Sequence, residues 1–206
     1  MKDDLLDRLA IRQNIDNWMV WRDGRDWDRF ATLWHPEGRM HTTWSQTSAN
    51  EFIARSRKAF EAGLTIVHTV NGVGVDIEGG RAVSRSRMTI VQRAKVHGVL
   101  VDVICYALFW DAWERLESAW LLRLRQPIYE LDHMIPVDAP ALPELDRELW
   151  SSFPVGYRNL AYLQTLQGLD VARAMPGMRG PARDELEKRG RSWLAGEPPE
   201  ILAWMD

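Results

Sequence analysis

Residues 64–94 read "LTIVHTVNGVGVDIEGGRAVSRSRMTIVQRA", and this stretch predicts two long β-strands joined by a tight turn. Apolar and polar residues alternate on both sides of the turn signal at 78–80, and a period of two is typical of half-buried strands. Later turn signals at 95–98 and 115–119 divide the following sequence into two more strands. Because short turns join antiparallel neighbours, we expect an antiparallel sheet. Its four long strands are predicted at 64–77, 81–94, 99–114 and 119–131.

Three helices are predicted ahead of this sheet. The first carries apolar residues at helical spacing and stops at Gly24, and the second runs from the N-cap Asp26 through Trp34, ahead of a proline. A capping box at Ser48 opens the third helix, which ends before Gly63, and a short strand is expected between the second and third helices. We therefore expect an α+β fold, in which three N-terminal helices pack on a cone-shaped, curved and mostly antiparallel sheet and leave a pocket.

The carboxy-terminal part of the chain has a different amino-acid composition. After Tyr129 the sequence becomes rich in proline and acidic residues, which predicts a tether. One segment beyond it carries leucines close to one helical face, and another predicts a turn followed by a short polar helix. We expect residues 1–135 to form the cone domain, and residues 136–206 to form a helical extension that packs on this body or on a neighbouring subunit.

Composition excludes several classes of partner. The chain has 206 residues with 26 basic and 29 acidic side chains, and no basic block of the kind that nucleic acid requires. No apolar run approaches the roughly 18 residues of a membrane span, so a cytoplasmic protein is predicted. The eleven tryptophans suit either a tryptophan-rich core or a cavity for flat apolar ligands.

Sequence motifs predict neither a metal nor a cofactor. The five histidines show no ligand spacing and no cluster with cysteine. The glycine-rich stretch at 71–80 lacks the register of a nucleotide-binding fingerprint and precedes no helix. Cys105 excludes an internal disulfide because it is the only cysteine, and it lies in an apolar strand, where a small buried side chain is expected.

One carboxylate and one histidine stand out as candidates for chemistry. Asp23 lies at the predicted end of the first helix, where the helix dipole disfavours an anion. His68 lies among apolar residues of the first long strand and needs a hydrogen-bond partner there. A single histidine in a strand is more often structural than catalytic. Yet a histidine becomes a general base near neutral pH when a carboxylate orients its ring, and that role explains the position of Asp23.

The order and spacing of three segments resemble a known family. The segments are "LAIRQNIDNWMVWRDGRDWDRFATLWHPEGRM", "TIVHTVNGVGVDIEGGRAVSRSRM" and "ALFWDAWERLESAWLLRLRQPIYELDHMIPVDAP". Together they resemble the SnoaL-like branch of the nuclear-transport-factor-2-like (cystatin-like cone) superfamily. That branch includes scytalone dehydratase, hexachlorocyclohexane dehydrochlorinase and bile-acid dehydratase. The resemblance covers about residues 4–135, and the tail resembles an extension found in some bacterial members.

The resemblance implies a cofactor-independent lyase. In scytalone dehydratase and the dehydrochlorinase, an aspartate near the end of the first helix orients a histidine that abstracts a proton, and these positions match Asp23 and His68. An asparagine of scytalone dehydratase that contacts substrate is matched by Phe109, which implies a more apolar, aromatic-lined pocket and a small aromatic or polycyclic substrate. Water, halide or formaldehyde is the expected leaving group. A role in the catabolism of aromatic compounds follows from that substrate class.

Other residues are assigned to the pocket by strand parity. Ser86 and Met88 on the second long strand and Phe109 on the third are expected to share it with Trp44, and Arg125 on the last strand is placed to stabilise negative charge. Two alternatives stay open. One is a non-catalytic ligand-binding or assembly protein of the same fold, and the other is an isomerase that returns the abstracted proton.

The predicted sheet also suggests self-association. An open sheet of this kind exposes an outer apolar face, which we expect to include Val73, Val75 and Val103. A homo-oligomer, dimer or trimer, is therefore predicted.

Overall fold

The computed structural model describes residues 2–138, 140 and 142–202. The end of the predicted extension, 203–206, lies outside the described residues, as do Met1, Ala139 and Ala141. The helices are α1 (Lys2–Asp23), α2 (Trp27–Thr32), α3 (Ala49–Glu61), α4 (Arg147–Ser151), α5 (Arg158–Leu166) and α6 (Pro181–Leu194). The strands are β1 (Trp34–Thr42), β2 (Ser45–Ser48), β3 (Thr65–Glu78), β4 (Arg81–Val96), β5 (Val99–Leu116) and β6 (Ala119–Pro136). Short 3-10 turns occupy Val155–Tyr157 and Pro199–Leu202.

The strands form one curved, open sheet in the order β2-β1-β6-β5-β4-β3. Strand β1 runs parallel to β6, and every other neighbouring pair is antiparallel. The three N-terminal helices pack on the concave face, where Trp18 of α1 meets Phe30 of α2 at 5.4 Å and Phe52 of α3 at 6.3 Å between ring centroids. The predicted α+β fold, a curved and mostly antiparallel sheet on N-terminal helices, is confirmed.

Local signals placed the third helix correctly. The Ser48 side chain accepts a hydrogen bond from the backbone N–H of Glu51 at 3.3 Å, as expected of an N-cap. Gly63 follows the helix with a φ of 94°, a backbone conformation that side chains with a Cβ adopt at a cost.

The prediction for the second helix was wrong at its end. Helix α2 stops at Thr32, and Trp34 begins strand β1 rather than closing the helix. Trp34 pairs with Leu122 of β6, and a register shift before Arg39 accommodates Pro36 within the strand. The ring of Trp34 still reaches the same aromatic core that a helical Trp34 was expected to join, because it packs on Phe30 at 6.1 Å.

The predicted tether also begins too early. Strand β6 continues to Pro136, where it pairs with Val101 of β5, so residues 130–136 belong to the sheet despite their acidic and proline-rich texture. Cross-strand pairing outweighs the local turn propensity of this segment. The irregular connection to α4 starts after β6.

The carboxy-terminal extension contacts both faces of the sheet. Helix α5 packs on the concave side, where Leu160 and Leu163 join the main core. Helix α6 packs on the convex side, where Leu186 and Trp193 join a second core with Trp110 of β5. The helix approaches closely, since a Cβ at Gly190 would lie 2.8 Å from a ring carbon of Trp110.

The valines predicted to lie on the outer face point inward instead. Val103 is buried in the main core, and Val73 and Val75 pack against that core. The parity of the strands was therefore assigned to the wrong face at these positions. The exposed apolar side chains of this sheet include Val67, Tyr106, Leu131 and Ile135. Among the described residues, no helix is long and apolar enough to cross a membrane.

Candidate active site

The site is built where α1 ends against β3. Asp23 is the last residue of α1. Its Oδ2 accepts a hydrogen bond from the backbone N–H of His68 at 2.6 Å, and its Oδ1 lies 3.0 Å from Nδ1 of the His68 ring. Arg22 donates from Nη1 to the same Oδ1 at 3.0 Å. The anion at the unfavourable end of the helix dipole is thus compensated by three donors. The contact predicted between Asp23 and His68 is present.

The geometry fixes the tautomer of His68. Both carboxylate oxygens of Asp23 lie within 3.0–3.1 Å of Nδ1, so Nδ1 must carry a hydrogen and donate it. The guanidinium of Arg22 comes within 3.4 Å of the same nitrogen, but it has only donors and forms no hydrogen bond to a protonated Nδ1. The second ring nitrogen, Nε2, is left with a lone pair, as a general base requires.

Arg22 is buried beside the same pair. Its side chain is buried, and its guanidinium lies 5.4 to 5.7 Å from the ring centroids of Trp18, Phe52 and Phe60. Aromatic faces attract a cation at this distance, so the rings stabilise a charge that burial disfavours. Sequence reasoning singled out Asp23 but missed Arg22, although a basic residue at the end of a helix was the available signal.

The pKa directions match a neutral base beside an ionised carboxylate. Burial would raise the pKa of Asp23, but the hydrogen bond and charge of His68 and the charge of Arg22 offset this and lower it below its usual value. Burial lowers the pKa of His68, and the charges of Arg22 and Arg125 lower it further against the raising effect of Asp23. His68 is therefore neutral at pH 7 and able to accept a proton.

His68 lines a small, mostly apolar chamber inside the cone. Its volume is about 30 Å³, enough for about one or two water molecules. An outer chamber of about 750 Å³ adjoins it, and this volume falls in the usual range for small-molecule sites. The residues that line both chambers are Arg22, Trp44, Ile66 and Gln164, and they form the neck between them.

Two of the five predicted substrate-binding residues line these chambers. Trp44 forms part of the neck, and Phe109 lines the inner chamber. Ser86, Met88 and Arg125 are buried but are not among the residues that line either chamber. Strand parity assigned Ser86 and Met88 to the inner face correctly, since Ser86 pairs with Phe109 and Met88 belongs to the main core.

Arg125 lies behind the aromatic wall of the chamber. It forms two hydrogen bonds of 2.8 Å to Asp111, and both side chains are fully buried. Its guanidinium lies 4.1 Å from the ring centroid of Phe109 and 4.5 Å from that of Trp18. Its charge acts on the site through these rings, since it also lowers the pKa of His68.

Several polar groups of the inner chamber were missed by sequence reasoning. Tyr129 and Thr42 line it with their hydroxyl groups 3.3 Å apart, and burial raises the pKa of Tyr129 above its usual value. Gln164 reaches it from α5. No sequence signal identifies a residue that enters a site from a helix folded back onto the sheet.

The structure also bears on metals and on Cys105. In the part of the chain that it describes, no group of three or more His, Cys, Asp or Glu side chains is arranged to hold a metal ion. Cys105 is buried in the main core, where burial raises the pKa of its thiol well above the usual value. The expectation of a small buried side chain at this position is confirmed.

A family model described as "SnoaL-like domain" matches residues 3–126. A curated relative, Pea pathogenicity protein 2 of Fusarium vanettenii, is 35% identical over 207 residues, which cover 95% of this chain and 89% of the relative. A second relative from the same fungus, PEP2-like protein, is 35% identical and covers 96% of this chain and 89% of its own length.

Solved structures with the same fold share little sequence. A putative scytalone dehydratase from Novosphingobium aromaticivorans is 14% identical with a TM-score of 0.54, covering 71% of this chain and 99% of its own. The hexachlorocyclohexane dehydrochlorinase LinA-type3 from Novosphingobium barchaimii is 12% identical with a TM-score of 0.55, covering 69% of this chain and 98% of its own. At such identities the likeness concerns the fold alone.

Proposed function

This chain belongs to the SnoaL-like domain family, and on that premise we propose that it is a cofactor-independent lyase. Its substrate is a small hydrophobic molecule, aromatic or polycyclic, and the reaction is a dehydration, another elimination or a deformylation. The observation that carries this proposal is the contact of 3.0 Å between Oδ1 of Asp23 and Nδ1 of His68, beside the inner chamber. Two structural neighbours bear the names of a dehydratase and a dehydrochlorinase, which agrees with an elimination.

The proposed step is proton abstraction by His68. In an elimination, Nε2 takes a proton from a carbon of the substrate, the electron pair of that C–H bond forms a double bond, and the leaving group departs from the next carbon with the electron pair of its broken bond, a hydroxide being protonated to water. In a deformylation, Nε2 takes the proton of a hydroxymethyl group instead, the O–H electron pair forms the carbonyl of formaldehyde, and the electron pair of the broken C–C bond stays on the substrate carbon, which the imidazolium then protonates. Asp23 stabilises the imidazolium that results, because its charge and hydrogen bond strengthen as the ring becomes positive. General-base catalysis of this kind typically contributes about 10²–10⁴-fold.

The rest of the site positions the substrate. Trp44 and Phe109 serve as aromatic walls, and the outer chamber has room for the part of the molecule that does not react. Arg125 stabilises developing negative charge through the field that it exerts across Phe109 and Trp18. We assign Ser86 and Met88 to the support of the pocket, since Ser86 pairs with Phe109 across neighbouring strands and Met88 is buried in the main core.

The experiment that tests this proposal needs no identified substrate. Purified protein without added cofactor is incubated with a panel of hydroxylated aromatic and polycyclic compounds, and products are measured by mass. Loss of the mass of water, hydrogen halide or formaldehyde from a panel member supports a lyase. A parallel incubation in deuterium oxide identifies an isomerase, because its product keeps the substrate's composition except for exchanged deuterium. Binding without any conversion across the panel contradicts the lyase and favours a ligand-binding protein.

We also propose how the chain is organised in solution. Residues 1–135 form the catalytic cone and residues 136–206 form an extension that covers it, in a cytoplasmic protein. The exposed side chains Val67, Tyr106 and Leu131 leave part of the outer sheet face uncovered, which supports a homo-oligomer. Light scattering that gives only the monomer mass of 23.8 kDa would contradict the oligomer.

A further inference from the structure

The neck between the two chambers contains one buried polar side chain that nothing in the proposed chemistry uses. Gln164 of α5 lines both chambers, and only 5% of its surface is exposed. A buried amide normally satisfies both its oxygen and its nitrogen. When one of these two groups lacks a partner at the entrance to a site, we infer that the ligand supplies the missing hydrogen-bond partner.

The orientation of this amide is set by one hydrogen bond. The hydroxyl of Thr43 donates to the Oε1 of Gln164 at 2.7 Å. Within the described residues, Nε2 of Gln164 has no hydrogen-bond partner. Since Oε1 is engaged by Thr43, the group that Gln164 offers to the chambers is the N–H donor pair of its amide.

The helix that carries Gln164 is anchored at its first turn. No side chain from its own N-cap satisfies the first N–H groups of α5. The carboxylate of Asp132 on β6 does so, since it accepts from the backbone N–H of Leu160 and from Nδ2 of Asn159, both at 2.8 Å. A cap supplied by the sheet ties the helix to the wall of the cone and fixes its rotation.

The far end of α5 is held as well. Gln167, which lines only the outer chamber, accepts a hydrogen bond from Gln92 of β4 at 2.9 Å. The backbone N–H of Ala172 donates to the carbonyl of Thr43 at 2.7 Å. Helix α5 is therefore anchored at both ends, and the amide of Gln164 is held in one orientation. A binding contact requires both conditions.

We propose that Gln164 is a specificity-determining residue, whose Nε2 donates a hydrogen bond to an acceptor oxygen on an otherwise apolar ligand at the neck. The ligand class is an aromatic or polycyclic compound that carries a carbonyl oxygen. The two solved neighbours match over 98–99% of their own length but cover only 69–71% of this chain. About three tenths of this chain therefore has no counterpart in them. The inference rests on the proposed function only in taking the chamber beside His68 as the ligand site.

The experiment compares two probes of the same shape. 2-Acetylnaphthalene carries a carbonyl oxygen, and 2-isopropenylnaphthalene has a methylene group in its place. Equilibrium dialysis against the full chain gives a dissociation constant for each probe, and the ratio of the two measures the preference for the oxygen. We expect the wild-type protein to prefer the ketone by about fivefold, the usual value of one neutral hydrogen bond.

Three variants locate the source of that preference. Gln164→Leu should reduce it to less than about twofold by weakening ketone binding while leaving the alkene unchanged. Gln164→Glu keeps an oxygen for Thr43 but replaces the donor by an anion, so it should abolish the preference in a side chain of nearly the same shape. Thr165→Ala, next to Gln164 on the same helix but lining neither chamber, should keep the wild-type ratio.

The outcomes separate this inference from the proposed lyase. An equal ketone preference in wild type and in both Gln164 variants would overturn it, and so would a wild-type protein that does not bind the ketone. Neither probe carries a leaving group, so the ratio of their dissociation constants is measured without any turnover. A lyase assay that fails while the ratio depends on Gln164 therefore rejects the reaction and leaves the contact standing.

Discussion

Two buried histidines lie on opposite faces of the same sheet, and the groups that surround them differ. His68 on the concave face and His41 on the convex face are 9% and 2% exposed, and burial is the main cause that lowers the pKa of each. For His41 the pKa falls to about 4, and the neighbouring charges that lower it further are those of Arg39 and Arg189. For His68 a carboxylate on Nδ1 opposes the fall.

The difference shows which features of a buried histidine indicate chemistry. Burial and a lowered pKa are common to both, so neither identifies a base. A base also needs a group that stabilises its protonated form and a free nitrogen that faces a space for substrate. His68 has Asp23 for the first and the inner chamber for the second. The nearby charges at His41 oppose protonation, as expected of a histidine that stays neutral in the fold.

The largest effect expected from this comparison is on turnover. His68→Ala should reduce the single-turnover rate on the identified substrate by about 10²–10⁴-fold or to background, because it removes the proton acceptor and leaves the apolar contacts that bind the ground state. His41→Asn is the matched control, since it replaces another buried histidine on the other face and should retain the rate within a few-fold. Equal rates in wild type and His68→Ala would remove His68 from the mechanism.

Sequence reasoning reached this pair but not the whole site. The period of two and the capping signals predicted the sheet and the third helix because each depends on neighbours in the sequence. Asp23 and His68 were found because each looked costly in its local setting. Gln164 looked ordinary, since a glutamine is a good helix former and its partner Thr43 is 121 residues away.

The errors have the same cause. Trp34 was assigned to a helix by its spacing from Phe30, and its pairing with β6 decided otherwise. Val73 and Val103 were given to the outer face, because alternation identifies two faces without saying which one the helices cover. Tertiary contacts decide both where the second helix ends and which face of the sheet the helices cover. These contacts cannot be deduced from a single sequence.

The smaller effect expected from the comparison is a change in the free energy of unfolding with pH, and it arises from His41. Its pKa is about 4 in the folded protein against about 6.5 in the unfolded chain, so between these values only the unfolded chain binds the proton. Its contribution to the free energy of unfolding is therefore complete above pH 6.5 and falls as the pH is lowered, by about 1.4 kcal/mol per pH unit. Between pH 6.5 and pH 5 the loss from this residue should be about 2 kcal/mol.

Urea unfolding of wild type and His41→Asn at a series of pH values between 7 and 5 measures this loss. The difference between the two proteins isolates His41, because His68, whose pKa is also lowered, contributes in the same direction to both. Above pH 5 most carboxylates remain ionised in both states, so they add little to the slope. We expect the variant to be less stable than wild type at pH 7 and to lose less stability on acidification. Parallel curves for the two proteins would mean that His41 binds its proton equally well in the folded state, and the contrast with His68 would then rest on geometry alone.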